Sequence, residues 1–320
     1  MKRYAFIDYA TQGYMALVGV IILLFHSDRL PGWPWLLLAH VAGLVVVHSV
    51  IVLYAHFPRH RVLDFLRHYY PILLYTGFYR ETGALNQMIY AGYLDPHFLR
   101  LEQKLFGFQP GLEVMEMFPS RWVAEILYCA YFSYYIMIGG VGLALLIRNR
   151  REFAHYISVV SFVFYVCYLT YIFTPVVGPR IVYRGIVHEA LPVDVLPETN
   201  PDPPESVQAS VFFRIMAVIY DHFETPGAAF PSSHVAVALC TLYFSFLYLR
   251  KVRWLHLVMA VLLCVSTVYG RYHYVVDIVA GILVAAILIP LGNRLYFRSR
   301  SINGETEPVQ TRREEAVRVE

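Results

Sequence analysis

Charged residues are scarce in this 320-residue chain. Asp, Glu, Lys and Arg make up 15% of it, whereas hydrophobic residues make up 58%. Soluble globular domains carry about 25% charged residues. The composition therefore excludes an ordinary soluble domain and predicts an integral membrane protein. The 26 basic and 23 acidic residues leave a net charge of only +3, which argues against a nucleic-acid partner.

Cysteine is scarce as well, and the positions of the cysteines argue against disulfide bonds and a zinc site. Only four cysteines occur, all within apolar stretches and without CxxC or Cys/His ligand spacing: Cys129, Cys167, Cys240 and Cys264. This pattern predicts neither a disulfide framework nor a zinc site. A clean cleavage site after the first apolar stretch is also missing, and Asp8 and Gln12 precede that stretch. We therefore expect an uncleaved first helix and not a signal peptide.

Long apolar stretches dominate the chain. A helix needs about 20 largely apolar residues to cross a bilayer, and seven stretches are typical of such helices: 9–25, 35–57, 121–147, 153–174, 235–249, 253–271 and 273–291. Cytoplasmic loops are rich in Lys and Arg, which places the basic clusters around residues 59–67, 148–151, 250–253 and 294–300 inside. The acidic connection 176–230 then lies outside.

These orientations require one more crossing between residues 68 and 120. The only suitable segment is 69–90, which carries Arg80 and Glu81 near its middle. Charged groups at that depth are costly, so we expect both to face the bundle interior, paired with each other or with other buried groups. The sequence thus predicts an all-α polytopic bundle of about eight transmembrane helices, with both termini cytoplasmic.

Three segments do not fit the pattern of a crossing. Residues 91–120 predict an amphipathic helix on the outer surface, with its Leu and Phe side chains facing lipid headgroups. Residues 191–206 are rich in proline and acidic residues and predict a loop or lid without regular structure. The polar tail after Ile302 is expected to be disordered.

Two histidines are expected at one face of the membrane. The helix after His234 runs for sixteen residues to Arg250, a rise of about 24 Å, and the next helix returns to deliver His273 at the level of His234. His273 and Asp277 are four residues apart and share a helix face. A carboxylate there fixes the imidazole tautomer and leaves the other ring nitrogen free as a nucleophile.

Anion binding is also expected at this face. Pro231 and Ser232 are typical of a helix start, so His234 lies in a first turn, where free backbone N–H groups attract anions. Arg180, Arg184 and Arg271 fall on the same side, and a guanidinium matches phosphate geometry. Taken alone, the His/Asp pair is equally typical of a local salt bridge; the conjunction with His234 and the arginines favours a site.

These residues resemble the type 2 phosphatidic acid phosphatase superfamily of membrane lipid phosphatases and phosphotransferases. Residues 231–234, PSSH, are similar to its P-S-G-H motif. Ser266, His273 and Asp277 keep the spacing of its S-R-x5-H-x3-D motif, with Thr267 in the arginine position. Arg180 is similar to the arginine of its K-x6-R-P motif, in which Phe173 here replaces the lysine.

The resemblance implies a reaction and a domain organisation. It implies that His273 forms a phosphohistidine, that Asp277 orients it, and that His234 is the general acid and base, without a metal or another cofactor. The implied phosphate ligands are Arg180, Arg271, Ser232 and Ser233. It further implies a six-helix core, which we place at 61–295, after two helices in 1–60 and before a disordered cytoplasmic tail at 296–320.

One branch of the superfamily is the most similar. The non-glycine residue in PSSH, the H-Y-x-x-D sequence at 273–277 and the LEQKLFGFQP sequence at 101–110 resemble the inositol phosphorylceramide synthases. This implies a membrane lipid substrate and a polar alcohol acceptor such as inositol. The distribution of basic residues predicts that the site lies on the extracytoplasmic face. A second function is also consistent with these residues: a plain lipid-phosphate phosphatase that uses water as the acceptor. A third is a binder or transporter of anionic lipids that uses the same residues without catalysis.

Overall fold

The computed structural model describes residues 4–184, 196 and 202–304, which form thirteen helices and no strand. In chain order the helices are α1 (Phe6–Phe25), α2 (Trp33–His56), α3 (Arg61–Leu85), α4 (Asp95–Phe106), α5 (Pro110–Met117), α6 (Arg121–Arg148), α7 (Arg150–Phe173), α8 (Pro179–Tyr183), α9 (Glu205–Gln208), α10 (Val211–Phe223), α11 (Ser233–Tyr248), α12 (Arg253–Tyr269) and α13 (Val275–Ile302). The all-α prediction is confirmed.

Eight of these helices form a polytopic bundle. Five are long and apolar enough to cross a membrane: α1, α2, α6, α7 and α13. The apolar helices α11 and α12 are shorter, with 16 and 17 residues. The 25 residues of α3 cover most of the crossing predicted at 69–90, although the helix begins at Arg61 and ends at Leu85.

The central helix of the bundle is α7. It packs against α1, α3, α6, α11 and α13, and 72% of its apolar stretch is buried, against 17% for the peripheral α2. The helices that begin at the PSSH turn and directly after His273, α11 and α13, also pack against each other. The site is therefore held on the best-packed part of the molecule.

Both predicted histidines lie at one end of the bundle, which we call the histidine end. There α11 and α13 begin, and α3, α7 and α12 end. The five short helices also lie at this end, because they form the connections from α3 to α6 (α4, α5) and from α7 to α11 (α8, α9, α10). Such connections can supply polar groups without placing them inside the apolar bundle.

The expectation that Arg80 and Glu81 face the bundle interior, paired with each other or with other buried groups, holds for Glu81 and is wrong for Arg80. Glu81 faces the interior and lies 3.5 Å from Nε2 of His40, but the Arg80 side chain is exposed and donates to the carbonyl oxygen of His222 at 2.9 Å. Consecutive residues of a helix point about 100° apart. One interior face therefore cannot accept both side chains.

The amphipathic helix predicted at 91–120 is two helices. α4 and α5 are separated at Gly107, whose φ of 78° is left-handed and suits glycine. Leu105 and Phe106 are exposed, as expected, but Leu99 is buried. The buried face of α4 also carries two carboxylates, those of Asp95 and Glu102, which the amphipathic interpretation did not predict.

The connection after α8 is only partly described. Most of the segment 191–206, predicted to lack regular structure, lies outside the described residues. The same holds for residues 305–320 of the tail predicted to be disordered at 296–320, whereas its residues 296–302 are helical and belong to α13. At the end of the segment 191–206 Glu205 begins the four-residue α9. Helix α10, which the sequence did not predict, then begins after Ser210, whose Oγ accepts a hydrogen bond from the Phe213 backbone N–H at 3.2 Å.

The close approach of α11 and α13 depends on Gly281. A Cβ at this position would lie 2.6 Å from the carbonyl oxygen of Ser232 and 3.1 Å from Cβ of Val235. We expect Gly281→Ala to lower the free energy of unfolding by about 1–3 kcal/mol, because the two helices must separate. Thermal unfolding in detergent measures this. Gly139→Ala, where a Cβ meets nothing within 4 Å, is the control, and an equal loss in both variants would contradict the prediction.

Candidate active site

The PSSH turn places His234 at the start of α11. Ser232 is the N-cap residue, and its Oγ accepts a hydrogen bond from the Val235 backbone N–H at 3.3 Å. From α7, the Tyr171 hydroxyl donates to the Pro231 carbonyl oxygen at 3.1 Å. The turn is therefore fixed both by its own serine and by the central helix, and His234 occupies the predicted first turn.

His273, Asp277 and His234 form a continuous line of polar side chains. Nδ1 of His273 lies 3.3 Å from Oδ2 of Asp277, and its Nε2 lies 3.4 Å from Nδ1 of His234. The same Asp277 oxygen accepts the Tyr274 backbone N–H at 2.9 Å, so the carboxylate holds both the ring and the backbone that carries it. If Nδ1 donates to the carboxylate, Nε2 carries the lone pair.

The environment of His273 favours the neutral imidazole. His273 lies in the turn between α12 and α13, directly before the N-cap residue Tyr274, so the prediction that it shares a helix face with Asp277 is wrong although the two side chains are in contact. The residue is 3% exposed. This burial lowers its pKa to about 4, because desolvation disfavours the charged form. A neutral ring is the nucleophilic form of histidine.

Two tyrosines of α6 flank His234. The ring centroid of Tyr131 is 5.1 Å from that of His234, and the centroid of Tyr134 is 4.7 Å away. Sequence reasoning assigned no tyrosine to the site. The spacing of three residues, which places both on one face of α6, was the available signal.

A pocket lies beside the two histidines, and we call it the histidine pocket. Its wall includes His234, His273, Arg180, Tyr220 and Glu224. The Arg180 guanidinium lies over the Tyr220 ring, 4.8 Å from its centroid, and pairs with the Glu224 carboxylate. Arg180 thus lies where the sequence predicted a cation, while Tyr220 and Glu224, from α10 and its C-cap, were missed because α10 was not predicted.

Arg271 lies in a neighbouring pocket. That pocket is lined by Arg271, Arg184 and Tyr183 and shares Arg180 with the histidine pocket. The Arg271 side chain is 3% exposed, and its guanidinium donates to Oε1 of Glu116 at 2.7 Å. Its φ of 62° is left-handed, a conformation that is uncommon outside glycine. The expected placement of Arg271 beside His273 would require the guanidinium to leave Glu116.

The arrangement suits nucleophilic transfer of an anionic group. An imidazole oriented by a carboxylate is a nucleophile, a second imidazole within hydrogen-bonding distance can carry protons, and a guanidinium in the same pocket can bind an anion. Ser232 and Ser233 are buried, and the hydroxyl of Ser232 already caps α11.

Comparison with known proteins agrees with this chemistry. No curated protein and no solved structure matches the chain. A family model described as the PAP2 superfamily matches residues 97–291, which is more than half of the chain and includes both histidines, Asp277 and Arg180. The matched region also contains Tyr220 and Glu224, the two other residues named above for the wall of the histidine pocket. The chain therefore belongs to the PAP2 superfamily, and it is an integral membrane protein of the lipid phosphatase and phosphotransferase type.

Proposed function

We propose that this protein transfers the phosphoryl group or phospho-headgroup of a membrane lipid through a phosphohistidine on His273. The observation that carries the proposal is the line from Asp277 through His273 to His234, in which the two ring nitrogens of His273 lie 3.3 Å from the carboxylate and 3.4 Å from the second imidazole. Superfamily membership supports the substrate class, and the geometry supports the assignment of roles.

The reaction has two steps. Nε2 of His273 attacks phosphorus and forms a P–N bond as the P–O bond to the leaving group breaks. His234 protonates the leaving oxygen. In the second step His234 removes a proton from the acceptor hydroxyl, whose oxygen attacks phosphorus and breaks the P–N bond. Asp277 holds the His273 ring and stabilises its positive charge in both steps.

Arg180 is the proposed ligand of the phosphate oxygens, because it is the arginine in the histidine pocket. An incoming phosphate would compete with Glu224 for it. Arg271 pairs with Glu116 one pocket away, so its predicted contact with the phosphate stays a prediction. The buried Ser232 and Ser233 support the helix start, where backbone N–H groups favour an anion.

The acceptor divides the proposal into two forms. The similarity to the inositol phosphorylceramide synthase (inositolphosphotransferase) branch favours an alcohol such as inositol as the acceptor, and the protein is then a phosphotransferase that forms a phosphate ester of that alcohol. With water as the acceptor the same residues make it a lipid-phosphate phosphatase. A binder or transporter of anionic lipids would use the same pocket without a covalent intermediate.

The proposed location of the site is the extracytoplasmic face. The Arg148, Arg150 and Arg253 positions at the ends of α6, α7 and α12 all lie at the end of the bundle opposite the histidines. Basic residues are enriched on the cytoplasmic side. This supports cytoplasmic termini and an extracytoplasmic histidine end.

The intermediate gives the first test. Purified protein in detergent is incubated with phosphatidic acid and with phospholipids carrying ³²P, with and without inositol. We expect an acid-labile, base-stable label on the wild-type chain, and a loss of turnover of about 10³-fold or more in His273→Ala, because the nucleophile is gone. Released labelled phosphate indicates a phosphatase, and a labelled phosphate ester of inositol that forms only when inositol is present indicates a transferase.

Two variants control this test. His256→Ala, which removes a histidine far from the pocket and bonded to Ser245, should keep both label and turnover. His234→Asn should slow lipid turnover more than that of p-nitrophenyl phosphate, because nitrophenolate leaves without a proton. Equal turnover by wild type and His273→Ala, or lipid binding by wild type without any label, would reject the proposed intermediate.

The competition for Arg180 predicts an effect of Glu224. We expect Glu224→Gln to lower the phosphate concentration that gives half-maximal thermal stabilisation by about threefold to tenfold, because phosphate no longer displaces a carboxylate from the guanidinium. Glu116→Gln is the matched control, since it releases Arg271 in the neighbouring pocket. An equal gain in Glu116→Gln would instead place Arg271 among the phosphate ligands.

The topology can be tested by labelling. In a chain with its four cysteines replaced, Arg100→Cys marks the histidine end and Arg250→Cys marks the opposite end; both positions are exposed. We expect a membrane-impermeant maleimide to label Arg100→Cys in intact cells and Arg250→Cys only after permeabilisation. The opposite pattern would place the site on the cytoplasmic face.

A further inference from the structure

Two buried carboxylates of α4 lie next to the site without belonging to it. Asp95 and Glu102 are both fully buried, and their spacing of seven residues places them on one face of the helix, two turns apart. Sequence analysis gave neither a role. Their hydrogen bonds run to segments that lie from about 80 to 180 residues away in sequence.

Asp95 joins two turns of the site. Its Oδ2 accepts the Val177 backbone N–H, and its Oδ1 accepts the Gly178 backbone N–H and the Tyr274 hydroxyl, each at 2.9 Å. Gly178 is two residues before Arg180, and Tyr274 directly follows His273. One carboxylate therefore connects the turn that carries the cation with the turn that carries the nucleophile.

Glu102 binds the start of α13. Its Oε1 accepts the backbone N–H groups of Val275 and Val276, which are the first two residues of that helix and lack partners within it. The negative charge also matches the positive end of the helix dipole. Because α13 carries Asp277 in its first turn, Glu102 fixes the helix start from which the orienting carboxylate projects.

Burying these two groups is costly, and their partners offset the cost. Desolvation raises the pKa of Asp95 to about 6 and that of Glu102 to about 7, while the backbone N–H groups act in the opposite direction. A helix that only covered the bundle would be more stable with apolar residues at these positions. The bonds they make instead define the spacing between distant turns.

We infer that Asp95 and Glu102 are positioning residues, through which α4 sets the distance between Arg180 and His273 and the orientation of Asp277. The inference rests on the proposed function. Neither carboxylate touches the reacting phosphoryl group. Their contribution is to the alignment of the nucleophile with the bound phosphate, where a misplacement of 1 Å can cost about 10²-fold in rate.

The hydrogen bonds predict different effects for conservative variants. Both oxygens of Asp95 accept hydrogen bonds. Asp95→Asn therefore turns an amide N–H₂ toward a backbone N–H, so that two donors face each other. Glu102 uses only Oε1, which an amide carbonyl can replace. We expect Asp95→Asn and Glu102→Ala to lower kcat about 10- to 100-fold with KM for the lipid within about threefold. Glu102→Gln should keep wild-type kcat. Lys104→Ala, on the exposed face of α4, is the control.

The formation rate of the phosphohistidine separates positioning from stability. Variants whose unfolding temperature stays near that of wild type but whose labelling slows support the inference. Labelling at the wild-type rate in Asp95→Asn and Glu102→Ala, or an equal loss in Glu102→Gln and Glu102→Ala, overturns it. If Asp95→Asn does not fold, Tyr274→Phe takes its place. That variant removes one of the three hydrogen bonds to Asp95, so we expect a smaller loss of kcat.

If the proposed function is wrong, the experiment gives a different result, because the wild-type protein itself would then form no phosphohistidine label. The inference is then tested on phosphate binding alone. Thermal stabilisation by inorganic phosphate should weaken in Glu102→Ala and stay at the wild-type level in Glu102→Gln, since only the first variant releases α13 from α4. Equal stabilisation in all three proteins would overturn the inference without reference to catalysis.

Discussion

The site depends on the hydrogen bonds of one buried residue, Asp277. Its Oδ2 binds both the His273 ring and the Tyr274 backbone N–H, and the Asp277 carbonyl oxygen accepts the Ser232 backbone N–H at 3.1 Å. A buried carboxylate must be hydrogen-bonded or its desolvation is not offset. Asp277 therefore determines together the start of α13, the orientation of the His273 ring and the contact with the PSSH turn.

Charge is balanced locally around the histidine pocket. Arg180 pairs with Glu224 and Arg271 with Glu116, so neither guanidinium is buried without a counter-charge, which would be strongly unfavourable. Both carboxylates come from connections at the histidine end. An anionic substrate can replace Glu224 without leaving Arg180 uncompensated, whereas an isolated buried arginine would not be stable before the substrate binds.

The parts of the structure that depend on local pattern were predictable. Hydropathy predicted seven of the eight bundle helices, because each apolar stretch is a continuous segment of about 20 residues. The spacing of His273 and Asp277 predicted their contact, because the two residues are only four apart. The bonds of Asp95 to Val177 and Gly178 join positions about 80 residues apart, and no spacing rule reveals them. The same holds for Arg271, whose left-handed backbone and pairing with Glu116 depend on tertiary contacts.

The position of the pocket suits a lipid whose charge stays out of the hydrocarbon. His273 lies in a turn and His234 lies in the first turn of α11, so a phosphate can be bound where helix ends supply N–H groups. Acyl chains can stay beside apolar helices of the bundle. A nucleophile at mid-membrane depth would require the phosphate to leave water completely, at a cost that no hydrogen bond from two histidines and one arginine offsets. The antiparallel order of α11, α12 and α13 is what brings the two histidines to that level together.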